Sequence, residues 1–385
     1  MKYWTTKLLI FFLVILLSAS AYNYFKKPFL KNSEQVVEDG VKPIPTPSEV
    51  PRKDLSVEEK LAQLLMVSID INELEKNSSD SADLLSFIKE KKPGFILYFG
   101  KNISTTSAIL ATKAVYDNFD ENDYVPLIAV DHEGGLVQRL NGEGFTKLDS
   151  WQKVVSTYSS AQQKAVFNQS AMELNAIGIN IVFAPVIDLA SNSAVLKTRA
   201  AADPEKAFTA TSNYIYSFSQ NGVMPVVKHF PGIGSISTDP HNSVSTISLS
   251  KEDTEIFTKV LSKFNNIGVM TAHVRLDNKL DGKVCSLSET CLSKFTEFYP
   301  KVLLFTDDLT MKAARVQEGT SEEKTIPQVA IEAIDAGNNV IVVGKNTDVT
   351  TLEKILYALQ TEYKDSESFR KKVDNSVAKI LELKK

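Results

Sequence analysis

The residues of this chain that could do chemistry stand at the ends of short apolar runs. Asp131-His132-Glu133-Gly134-Gly135, Asp188, Lys228-His229, His273 and Asp307-Asp308 are all placed this way, and His241 follows in the loop after Lys228-His229. A single Asp after a strand is commonly a helix N-cap. Ionisable groups on five strand ends are harder to explain by capping, and they fit one shared rim where carboxylates, imidazoles and cations converge. The four His could instead hold a metal. None has a His partner at i, i+2 or i, i+4, and the first apolar run ends Val67-Ser68-Ile69-Asp70 without an H-x-H pair, so no metal is expected.

The elements that must position these residues are eight apolar runs: Leu64 to Ile69, Gly94 to Phe99, Pro126 to Asp131, Ile179 to Asp188, Val223 to Phe230, Gly268 to Val274, Val302 to Asp307 and Asn339 to Gly344. Such runs suit buried parallel strands. Amphipathic stretches separate them, among them Ala161 to Ala176, Pro204 to Gln220 and Pro327 to Ala336, the last closed by Gly337. Eight strand-helix units predict an α/β fold, a (β/α)8 barrel, whose active site lies at the carboxyl ends of the strands. An open doubly wound sheet would call for a G-x-G-x-x-G loop after an early strand. The first run leads into Asp70-Ile71-Asn72 instead.

Composition narrows the partners. The 385 residues carry 43 Lys+Arg against 47 Asp+Glu, a net charge of −4, so no basic excess is available for nucleic acid. The two Cys, Cys285 and Cys291, exclude a disulfide scaffold and a Cys-rich zinc module, and the sequence leaves their pairing open.

The motifs themselves carry a resemblance. Asp131-His132-Glu133-Gly134-Gly135-Leu136-Val137-Gln138-Arg139 resembles the D-Q-E-G-G-x-V-x-R segment of glycoside hydrolase family 3, and Lys228-His229-Phe230-Pro231-Gly232-Ile233-Gly234 resembles its K-H-F-P-G-H-G. Phe183-Ala184-Pro185-Val186-Ile187-Asp188, Met270-Thr271-Ala272-His273 and Thr306-Asp307-Asp308-Leu309-Thr310-Met311 are similar to further family motifs in the same order. The pattern is that of the single-barrel β-N-acetylhexosaminidase branch.

That resemblance implies roles residue by residue. Asp307 is the nucleophile that forms a covalent glycosyl intermediate, and Asp239 with His241 is the acid/base dyad. Asp131, Arg139, Arg199, Lys228 and His229 hold the terminal sugar, and Asp308 is structural. Several positions depart from the family: His132 replaces Gln, Ile233 replaces His, Asn339 replaces Asp, Pro240 sits inside the dyad, and the segment from Arg199 to Pro204 is one residue short.

At the amino end, Lys2 and Lys7 precede an apolar run from Leu8 to Leu17, and Ala19-Ser20-Ala21 offers an A-x-A cleavage site. Residues 1–25 read as a signal peptide or, through residues 8–25, a membrane anchor. Residues 26–54 read as a Pro-rich linker, and 55–385 as one catalytic domain, so the folded part is expected outside the cytoplasm. The resemblance implies a cofactor-independent retaining exo-β-N-acetylglucosaminidase acting on a carbohydrate substrate such as peptidoglycan fragments. A phosphorylase using the same residues, a hydrolase of another β-glycoside and a non-catalytic wall-glycan binder remain open, as does the oligomeric state.

Overall fold

The structure is a computed structural model and describes residues 54–190, 193, 195–277, 281–316 and 322–385. The signal or anchor segment 1–25 and all but the last residue of the linker lie outside the described residues. Eight parallel strands close into a barrel: β1 Leu65–Asp70, β2 Phe95–Phe99, β3 Leu127–Val130, β4 Ile181–Val182, β5 Met224–Phe230, β6 Gly268–Thr271, β7 Leu303–Asp308 and β8 Val340–Val343. Leu65, Met66 and Val67 of β1 pair with Ile341, Val342 and Val343 of β8. That pairing completes the cylinder and excludes the open sheet.

All eight expected runs contain strands, but two end three or more residues before the expected position. β4 stops at Val182, because Pro185 has no N–H to continue a ladder; the chain then runs on to a bridge between Val186 and Lys228. β6 stops at Thr271, and Ala272 and Val274 turn into a small separate apolar cluster with Leu196, Ala200, Ile233, Ile236 and Ile247.

The barrel interior is filled by aromatic rings. Phe305 packs edge-on against Phe95 and Phe183, with centroids 5.7 Å away in both cases. Gly268 leaves room for it: a Cβ there would lie 2.8 Å from the Phe305 ring and 2.9 Å from Val226. Outside the barrel, the helix Pro204–Gln220 starts as its sequence predicts. Asp203 caps the N–H groups of Glu205 and Lys206, and Pro204 occupies the first turn. Its buried Tyr214 and Phe218 stack at 4.1 Å and, with Trp151 and Phe167, form an aromatic cluster behind β3. Gly337 ends the helix Ile326–Ala336 at φ 113°, a left-handed position that favours glycine.

Candidate active site

Asp131 follows β3, and the chain then doubles back as a hairpin of His132–Gly134 against Val137–Gln138. Gly134 and Gly135 make the reversal at φ 89° and 59°. Side chains alternate faces along extended backbone, so Asp131 and Glu133 share one face and His132 takes the other. Asp131 accepts from Lys228 Nζ at 2.9 Å and lies 3.4 Å from Arg139. Glu133 accepts from Lys228 at 2.7 Å and from Arg199 through two parallel bonds of 2.7 and 2.9 Å. Burial alone would raise the pKa of both carboxyls, but the charges of Lys228 and Arg199, joined at Asp131 by Arg139, hold both below the usual range. Burial likewise opposes the Lys228 charge, and the two carboxylates more than restore it. The network is therefore fully ionised at neutral pH. Its three cations exceed its two anions, which suits an electron-rich ligand.

His229 sits beside it. Asp188 Oδ2 accepts from both the His229 backbone N–H and Nδ1, the latter at 2.7 Å, while its Oδ1 accepts from Ile233 N–H at 2.8 Å. A carboxylate only accepts, so Nδ1 carries the proton and Nε2 is left as the other face of the ring. The substituted Ile233 side chain is buried in the small apolar cluster, which accounts for its type.

Asp307 lies at the end of β7, where the register against β8 shifts between Phe305 and Asp308. Such an irregularity re-aims the strand's last side chains. Burial would raise the Asp307 pKa, yet His229, His273, the Asp308 N–H at 2.8 Å and Lys228 leave it below the usual carboxylate value. Asp307 is thus a carboxylate poised to act as an anion. Asp308 differs: burial raises its pKa, and its Oδ1 accepts from Thr310 N–H and Oγ1 at 2.8 and 2.7 Å. A Cβ at residue 344 would lie 2.2 Å from Asp308 Oδ2, so Gly344 is needed for this carboxyl to pack against the end of β8.

Asp239 and His241 occupy the loop after β5 and are exposed. Asp239 Oδ1 accepts from His241 N–H at 3.0 Å and pairs with His241 Nδ1 at 2.8 Å. Partial burial opposes the Asp239 charge, but these bonds and the His241 and Arg199 charges keep its pKa low. Pro240 O accepts from Ala313 N–H at 3.1 Å, tying this loop to the segment that follows β7. His241 also lines a cavity of about 570 Å³ with Arg139, Asp308, Thr310, Phe99 and Lys345.

The structure therefore joins Asp131, Arg139, Arg199 and Lys228 in one network, sets His229 on Asp188, and pairs Asp239 with His241. One rim assignment is corrected. His132 is turned away from the site into the aromatic cluster, with Nε2 2.7 Å from Ser170 Oγ and its ring 6.3 Å from Phe218. Burial lowers its pKa to about 3. Glu133, Asp188 and His273 stand on the rim that the strand ends predict, but the sequence assigns none of them a role; their partners supply one. Among the described residues, no group of three or more His, Cys, Asp or Glu is arranged to hold a metal ion.

Residues 56–383 match the glycosyl hydrolase family 3 N-terminal domain. The chain belongs to glycosyl hydrolase family 3. Among related sequences, it is 30% identical to a beta-hexosaminidase of Methylococcus capsulatus over 295 residues, 73% of this chain and 83% of that protein. It is 34% identical to a beta-hexosaminidase of Idiomarina loihiensis over 231 residues, 56% of this chain and 66% of that protein. The family 3 barrel also superposes on the beta-N-acetylhexosaminidase of Beutenbergia cavernae with a TM-score of 0.75 at 22% identity, covering 86% of this chain and 99% of that one, a likeness of fold. By family, this chain is a glycosidase.

Proposed function

We propose that the protein is a retaining, exo-acting β-N-acetylglucosaminidase that needs no cofactor. The observation that carries this reading is the Asp239–His241 pair at 2.8 Å, held by Pro240 against the segment just after Asp307. In the first step an Asp307 carboxylate oxygen attacks the anomeric carbon, the glycosidic C–O bond breaks, and His241 gives a proton to the departing oxygen. In the second, water returns its proton to His241, attacks the same carbon and releases Asp307, so the configuration is retained. Asp239 orients the imidazole and stabilises its charged form. Lys228, Asp131, Arg139, Arg199 and His229 hold the hydroxyls and acetamido group of the terminal sugar. The buried ion-pair wall that these residues form supports exo action, since it suits the end of a glycan better than its middle.

Fragments of cell-wall glycan outside the cytoplasm are the substrate source we propose. The Lys-flanked apolar run from Leu8 supports export, as does the Cys285–Cys291 disulfide, a bond that persists in oxidising compartments. Among the described residues no helix is long and apolar enough to cross a membrane; the apolar run of residues 8–25 lies outside them.

The test is a panel of nitrophenyl glycosides assayed with and without phosphate, with the anomer of the product read by NMR. β-Product from the β-N-acetylglucosaminide, independent of phosphate, is expected. Sugar 1-phosphate formed only with phosphate would identify a phosphorylase, preference for another glycoside would change the substrate, and binding of N-acetylglucosamine oligomers without turnover would refute an enzyme.

A further inference from the structure

The loop after β6 reaches back to the strand end that carries Asp307. His273, buried two residues beyond β6, places Nδ1 2.6 Å from Ser286 Oγ and Nε2 3.0 Å from the Asp308 carbonyl oxygen. A carbonyl oxygen can only accept, so Nε2 carries the proton. Burial holds the His273 pKa below its ordinary value despite the opposing charges of Asp307 and Asp308, so the ring is neutral and Nδ1 is an acceptor. The Ser286 hydroxyl must then donate to it.

Ser286 is itself fully buried and fixed through its backbone. Its N–H donates to Ala272 O at 3.1 Å, and its carbonyl accepts from Asn338 Nδ2 at 2.7 Å. Its neighbour Cys285 donates to Val274 O at 2.8 Å and is disulfide-bonded to Cys291. On the far side of the relay, the Asp308 carbonyl that receives His273 also receives Met311 N–H at 3.0 Å, and the Asp308 N–H donates to Asp307 Oδ1 at 2.8 Å. Three donations therefore run in one direction, from Ser286 to His273, from His273 to Asp308, and from Asp308 to Asp307.

We propose that Ser286 is a positioning residue for the reaction: it fixes the tautomer and ring plane of His273, which holds the Asp308 carbonyl and so the backbone of residue 308, whose N–H, on the preceding peptide unit, aims the Asp307 carboxylate. This rests on Asp307 being the nucleophile. Because Asp131, Lys228, Arg139 and Arg199 make no contact with Ser286 in this relay, its loss leaves sugar binding in place and impairs only the attack.

The test uses the whole enzyme and an aryl β-N-acetylglucosaminide. Ser286→Ala is expected to lower kcat about tenfold with KM changed less than about twofold, since a small misalignment of a reacting atom acts on the barrier rather than on binding. Ser286→Thr, which keeps the hydroxyl, should restore most of kcat. Nitrogen-15 NMR of the four imidazoles, with His273 assigned by its loss in His273→Gln, should show a neutral, Nε2-protonated His273 in the parent and a loss of that defined tautomer in Ser286→Ala. An Nδ1-protonated or charged His273 in the parent would overturn the proposal even if Ser286→Ala failed to fold. So would an unchanged kcat in Ser286→Ala, or a loss confined to KM. Asp307→Ala separates the two readings: if it retains turnover the nucleophile assignment fails, whereas an inactive Asp307→Ala beside a fully active Ser286→Ala defeats only the role of Ser286.

Discussion

Glu133 and Lys228 meet at 2.7 Å with side chains 1% and 3% exposed, and the same carboxylate clamps Arg199. Removing one partner of a buried pair leaves the other charge uncompensated. Glu133→Gln is therefore expected to cost about 3–5 kcal/mol of stability, read as a shift of the urea midpoint at constant slope. It should also raise KM for the sugar, because Lys228 and Arg199 lose their common support. Parent-like stability and KM would show that Glu133 is not the pivot of this network.

His132 should set an acid limit on the fold. Its pKa is about 3 in the folded protein, against ~6.5 in the unfolded chain. Between those values the unfolded state binds the extra proton, so stability rises with pH across the window and is lost as pH falls from ~6.5 towards 3. At pH 5 the loss from this one residue is about 2 kcal/mol. His132→Gln should flatten the fall of thermal midpoint between pH 7 and 5 while leaving turnover at neutral pH within about twofold. An unaltered pH dependence would mean that His132 is hydrated or charged in the fold.

The strands were legible because buried parallel strands are continuous apolar runs, and Phe95 to Phe99 or Val340 to Val343 has no other good explanation. Their ends were less so. Whether the chain leaves the barrel at Val182 or at Asp188 depends on a proline and on side chains supplied by distant loops. At the site, residue type at strand ends pointed to Asp131, Lys228 and Asp307, whereas the hairpin after β3 decided which neighbours faced the same way. Period-two alternation from Asp131 would have selected Glu133 and rejected His132. Asp188 and His273 reach the site by bonding to His229 and to the Asp308 carbonyl respectively, contacts that sequence spacing does not encode.

Cys285 and Cys291 close a short loop beneath the site, with Cα atoms 5.3 Å apart. Chain entropy for so small a ring gives about 2 kcal/mol of stabilisation. Replacing both by Ser should lower the thermal midpoint in non-reducing buffer and abolish any further effect of added dithiol. Equal midpoints for the parent with and without dithiol would show that the bond does not contribute.

The Asp239–His241 dyad makes the most specific kinetic prediction. If His241 donates the proton, its removal should hurt most when the departing oxygen is a poor leaving group. His241→Ala should therefore cost about 10²–10⁴-fold on a disaccharide, the usual range for general acid catalysis, and much less on an activated aryl glycoside, whose leaving oxygen needs little protonation. Asp239→Asn keeps the loop and its backbone contact but replaces the acceptor whose charge stabilises the protonated ring, so an intermediate loss is expected. Pro240 stiffens the link, and its carbonyl ties the pair to Ala313, so Pro240→Gly should weaken catalysis without changing which substrate suffers more. The deciding quantity is the ratio of the loss on disaccharide to the loss on aryl glycoside. A ratio near one for His241→Ala would make His241 a binding residue and place the acid elsewhere on the rim.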